Sequence, residues 1–119
     1  SKTVDFINSH SERYQIILVT ARNESRRSQT IAELKAIGVK YNSLVMNSGS
    51  SAPGAARAYK KAAMQRILKN HDVVLAIDNS SQARSAYHSL GVRAIHPRDI
   101  SSTSLSKSQW FGQFKPIGY

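Results

Sequence analysis

The chain has 119 residues, 40% hydrophobic and 20% charged, with 17 Lys and Arg against seven Asp and Glu for a net charge of +10. That length fits one compact domain burying roughly 65% of its unfolded surface, and six Gly with three Pro argue against a fibrous or disordered chain. The absence of cysteine excludes disulfides, zinc fingers and thiol catalysis, no apolar run approaches the ~18–20 residues of a membrane span, and residues 1–6 carry no signal-peptide core, so a cytoplasmic domain is expected.

A short helix is predicted near residues 3–8, followed by an apolar run over 15–20, Gln15-Ile16-Ile17-Leu18-Val19-Thr20. Such a run, β-branched and without alternation, suits a strand buried on both faces of a parallel sheet. A helix over 25–37 places Ile31, Leu34 and Ile37 on one side and ends at Gly38. A weaker strand follows at 43–46. The next helix, about 54–69, has a buried stripe of Ala55, Tyr59, Ala62, Ala63, Met64, Ile67 and Leu68. A second strong strand, Val73-Val74-Leu75-Ala76-Ile77-Asp78, precedes a helix carrying Ala83, Ala86, Tyr87 and Leu90 that stops at Gly91, and 92–95 is a last weak strand.

This alternation predicts an α/β domain over residues 1–100, a mainly parallel sheet sandwiched by helices and joined by right-handed crossovers. Residues 101–119 are a Ser-rich and then aromatic tail. Its Trp110, Phe111, Phe114 and Tyr119 are expected to dock on the core rather than stack on bases beside Lys107 and Lys115.

Ligands of open α/β sheets sit beyond the carboxyl ends of the strands, where both strong strands end in a reactive residue, Thr20 and Asp78. After Thr20 come Arg22, Arg26 and Arg27 near a helix start, a phosphate cradle of hydroxyl, backbone N–H groups and bidentate guanidinium. The plainer reading is a turn with solvated arginines. Lys60 and Lys61 lie on the central helix about 100° apart, so only one can face inward, and Lys60 stands nearer the apolar stripe. Without further context, two adjacent helical lysines usually form a solvated face. Asp78, with Asn79, is a plausible Mg²⁺ position, or else either residue caps the following helix. The charge points to nucleic acid or a phosphorylated ligand as partner.

In order, Val19-Thr20-Ala21-Arg22, a lysine helix and Ile77-Asp78-Asn79 resemble the second, third and fourth motifs of haloacid-dehalogenase-like phosphohydrolases. The pattern is most similar to the phosphatase domain of phage polynucleotide kinase 3′-phosphatases, where the turn is followed by Arg-x-x-Thr, here Arg27-Ser28-Gln29-Thr30. The resemblance covers residues 4–100 and implies a Rossmann-like fold and Mg²⁺-dependent phosphomonoester hydrolysis. It gives Thr20 the phosphoryl oxygens, Lys60 or Lys61 the attacking carboxylate and phosphoryl group together, Asp78 and Asn79 the metal, and Arg22, Arg26 and Arg27 the substrate phosphate.

The family's first motif, a strand ending in Asp-x-Asp, has no counterpart here. Asp5, Asp72 and Asp99 stand in other contexts, Asn79 replaces a frequent carboxylate, and residues 48–54 lack acidic residues. Without the nucleophilic aspartate the chain is expected to be inactive alone, and active only if an upstream Asp-x-Asp segment exists in a parent protein. The missing strand belongs between those ending at Thr20 and Asp78. These must then pair directly, or take a strand from a partner chain (a second copy included), an upstream segment or the C-terminal tail. The alternatives are a catalytically dead, basic nucleic-acid-binding module and a phage-type protein-interaction domain with an open sheet edge.

Overall fold

A computed structural model describes residues 1–49 and 55–102, and residues 113–118 by their backbone. The aromatic side chains assigned to docking and the Ser-rich stretch from 103 onward lie outside what it describes. The elements in chain order are α1 (Lys2–His10), β1 (Gln15–Asn23), α2 (Arg27–Ile37), β2 (Ser43–Asn47), α3 (Ala55–Leu68), β3 (Asp72–Val73), β4 (Ala76–Ile77), α4 (Ser81–Ser89), β5 (Ala94–Ile95) and β6 (Gln113–Gly118). Single 3₁₀ turns precede α2 (Glu24–Arg26) and follow β5 (Pro97–Ser102).

Among the described residues the strands form one parallel sheet in the order β2-β1-β6-β4-β5, with β3 also paired to β6. The predicted α/β class and parallel sheet are therefore what the chain adopts. Ile16 and Leu18 of β1 pack with Ile7, Tyr14, Leu34, Leu75, Ile77 and Ile100 on one face, under α1 and α2. Ile17 and Val19 point the other way, onto Ala63 and Ile67 of α3, and Ala76 meets Met64, Ala83 and Tyr87 between α3 and α4. Burial on both faces is why these strands read as unbroken apolar runs.

Several boundaries differ from the sequence-based expectation. The strand over 73–78 is two short pieces, β3 and β4, which pair with different residues of β6. Helix α2 starts two residues late because a 3₁₀ turn, capped by Asn23 Oδ1 accepting from the Ser25 N–H at 2.9 Å, comes first. Its buried residues are Thr30 and Leu34, while Ile31 and Ile37 are 42% and 52% exposed. The apolar spacing suggested a wider buried stripe than a helix seated by one turn presents. Gly38 ends α2 at φ +76°, in the left-handed region where glycine is unstrained. Ser80, not Asp78 or Asn79, caps α4, its hydroxyl oxygen accepting from the Ala83 N–H at 3.2 Å.

The strand needed between β1 and β4 comes from the C-terminal segment. β6 runs parallel to β1 with Gln15, Ile16, Ile17, Leu18 and Val19 opposite Phe114, Lys115, Pro116, Ile117 and Gly118, and it meets β4 at Ile77 opposite Ile117. Direct pairing of β1 with β4, the first expected option, does not occur among the described residues.

Candidate phosphate-binding rim

Because every strand runs the same way, the ends of β1, β2, β4 and β5 share one edge of the sheet. Register fixes the heights of the key residues along it. Ile77 and Leu18 both stand opposite Ile117, so Asp78 is level with Val19, and Thr20 lies one residue beyond. The two strands are separated by β6, two interstrand spacings or about 10 Å. Asp78 continues the side of β4 that carries Ala76, toward α3, where it meets Lys60, and the register of β1 shifts between Val19 and Asn23, around Thr20.

Asp78 is 1% exposed and Lys60 8%. The Lys60 ammonium donates to Asp78 Oδ2 at 2.7 Å, joining α3 to the end of β4. Asp78 Oδ1 accepts the Ser80 N–H at 2.9 Å, and the Asp78 carbonyl accepts from Arg84 Nη1 of α4 at 2.8 Å. The carboxylate is thereby fixed from both sides while each oxygen keeps lone-pair capacity. Lys61 is half-buried, and among the described residues no hydrogen bond or ion pair joins it to the rim. Asn79 is exposed beside the pair.

Thr20 is buried at 1%, its hydroxyl oxygen accepting the Arg22 N–H at 3.1 Å. Arg22 Nη1 donates to Glu33 at 2.5 Å and to the Thr30 hydroxyl oxygen at 3.4 Å, and Thr30 itself donates to the Arg26 carbonyl at 2.8 Å. The Arg-x-x-Thr threonine thus ties the turn after β1 to the first turn of α2. Arg26 is exposed and reaches Gln29. Arg27 is committed elsewhere: two of its nitrogens grip both Glu24 oxygens at 2.7 and 2.6 Å, and one also reaches the Leu44 carbonyl of β2 at 3.1 Å. That fork holds the Glu24 carboxyl below the usual carboxylate range and raises the Arg27 guanidinium in turn.

The structure therefore brings Lys60 to Asp78, sets Thr20 and Arg22 in β1 two strands away across β6, and keeps Lys61 and Arg27 apart from the pair. Three rim residues were not singled out from the sequence. Asn47, 7% exposed at the end of β2, turns its Oδ1 onto the Gly49 N–H at 2.8 Å. The strand-end rule that selected Thr20 and Asp78 applied to it equally. Arg84 and Glu33 carried no comparable mark, since nothing local shows which helix residue will meet a strand end.

The Tyr87 hydroxyl, 1% exposed on α4, has no hydrogen-bond partner among the described residues. Burial, with the Asp78 charge second, pushes its ionisation above the usual phenol range. In the described residues no three carboxylate, histidine or cysteine side chains gather as a metal cluster, and no helix is long and apolar enough to cross a membrane.

A deep carboxylate and ammonium at the carboxyl edge of a parallel sheet, with a threonine and then an arginine in β1, give this edge a charged and polar lining rather than an apolar one. Neither the curated proteins nor the solved structures contain a match to this chain. A family model does match, over residues 1–92, more than three quarters of the sequence. The chain belongs to the haloacid-dehalogenase superfamily, subfamily IIIB, described as acid phosphatase.

Proposed function

We propose that this is a phosphatase-type domain related to nucleic-acid 3′-phosphatases, holding the phosphoryl-binding part of the site without the carboxylate that attacks phosphorus. The Lys60–Asp78 pair carries the reading: a buried ammonium 2.7 Å from a buried carboxylate, at the sheet edge where Thr20 follows the stretch of β1 paired to β6. Among the described residues Lys60 makes this one hydrogen bond, and an ammonium has three protons to donate. It can therefore hold Asp78 and a phosphoryl oxygen together. The Thr20 hydroxyl and the N–H groups that follow it bind further phosphoryl oxygens, and Arg22, steadied by Glu33, faces the charge of the ester. Arg26 and the net charge of +10 extend that attraction to a polyanion.

Asp78 suits Mg²⁺ as one protein carboxylate, with Asn79 beside it. Magnesium keeps waters and takes substrate oxygens, so a single carboxylate accords with the absence of a larger acidic cluster among the described residues. Bound there, the ion would neutralise phosphate charge. Hydrolysis through an acyl phosphate needs a carboxylate oxygen to bond to phosphorus as the ester oxygen leaves with a proton, followed by attack of water on the intermediate. No Asp-x-Asp pair occurs in these 119 residues, so they are expected to bind and not to turn over.

The test mixes the full chain and Mg²⁺ with single-stranded oligonucleotides ending in 3′-phosphate or 3′-hydroxyl. The 3′-phosphate should bind more tightly, with affinity falling as salt rises, Thr20→Ala should erase the preference, and no inorganic phosphate should appear. Equal affinity for both ends would leave a basic nucleic-acid-binding module. Phosphate release that is lost in Asp78→Ala would show a nucleophile within the chain and overturn the expected inactivity.

A further inference from the structure

The two halves of the rim are held apart, and held together, by one strand. Thr20 follows the last residue of β1 paired to β6, Asp78 follows β4, and among the described residues these strands meet only through β6. Without β6, five residues of β1 and Ile77 of β4 lose their pairing on the inner edges, where unpaired backbone groups are costly. Closing the gap would draw Thr20 and Asp78 together by a strand's width, about 5 Å. The spacing of the anion site is therefore a property of β6.

That strand is poorly suited to a permanent central place. Pro116, opposite Ile17, has no N–H, so one ladder bond is missing whichever neighbour it faces. Pairing extends over five residues on the β1 side but over Ile77 alone in β4 and over Asp72 and Val73 in β3. The segment also lies beyond residues 1–92, which the family model matches.

We propose that β6 is a latch: its docking between β1 and β4 assembles the rim, and an anion bound at Thr20, Lys60 and Asp78 in turn holds β6 in the sheet. This rests on reading the rim as a phosphate site. An anion that binds the docked arrangement better must shift the chain toward it, and the coupling is reciprocal. While part of the population is undocked, apparent affinity is reduced by the docked fraction.

Inorganic phosphate is the probe, titrated into the full 119-residue chain by calorimetry and followed by amide hydrogen exchange. Saturating phosphate should slow exchange in residues 113–118 and 15–19 several-fold. Pro116→Val, which restores the missing N–H, should raise phosphate affinity up to roughly fivefold and leave less protection for phosphate to add. Phosphate that binds without changing exchange in 113–118, and equally in Pro116→Val, overturns the latch and leaves the phosphate site standing. No phosphate binding by either chain overturns the phosphate reading and the ligand half of the latch with it. The spacer half then rests on Ile117→Pro, which should speed exchange at 15–19 and 76–77 at least tenfold while residues 30–37 keep their protection. Unchanged exchange at 76–77 overturns it.

Discussion

At the rim a buried ammonium and a buried carboxylate neutralise each other, and removing either leaves its partner charged in a poorly hydrated place. Asp78→Asn is expected to destabilise the chain by about 3 kcal/mol. The double change Lys60→Met with Asp78→Leu should recover most of that loss, because no lone charge remains. Urea unfolding of Lys60→Met, Asp78→Leu and the double variant measures the coupling, and strictly additive losses would contradict a direct pair. Tyr87 makes the opposite case. Its hydroxyl is buried without a partner among the described residues, so Tyr87→Phe should be neutral or stabilising by up to about 1 kcal/mol. Burial raises its ionisation in the folded chain. The stability it contributes is therefore present below the ordinary tyrosine range and lost as pH rises beyond it. A thermal-melting series should show a shallower alkaline decline in Tyr87→Phe.

Helix α2 shows how far spacing alone carries at the scale of an element. Three isoleucine and leucine positions suggested a common face, yet contact with the sheet is made by Leu34 and Thr30, and Ile31 is left 42% exposed. Leu34→Ala should accordingly cost about 2–5 kcal/mol and Ile31→Ala within about 0.5 kcal/mol, compared by chemical unfolding. The turn before α2 is strapped to β2 through Arg27, which grips Glu24 and the Leu44 carbonyl. Arg27 chiefly lowers the Glu24 carboxyl, so the stability from this strap is present above the ordinary glutamate range and fades as pH falls through the lowered folded-state value. Glu24→Gln should flatten that acid limb in a melting series.

For the molecule as a whole, the rim assembles from α3, α4 and the ends of strands far apart in the chain. The sequence by itself determined the α/β alternation, because strands buried on both faces must read as apolar runs such as Ile16 to Val19. It also indicated that Thr20 and Asp78 lie toward the carboxyl edge of the sheet, and it gave the net charge of +10, since these follow from local composition and the direction of a parallel sheet. Helical phase placed Lys60 nearer the apolar stripe but left Lys61 open. Only the tertiary structure decided that Lys60 meets Asp78, that Arg27 serves β2, that Arg84 and Glu33 support the rim, and that β6 stands between β1 and β4. Those choices depend on which buried donors and acceptors can find partners once layers are stacked. Such a condition couples residues as distant as Ile17 and Pro116 and leaves no periodicity in either segment.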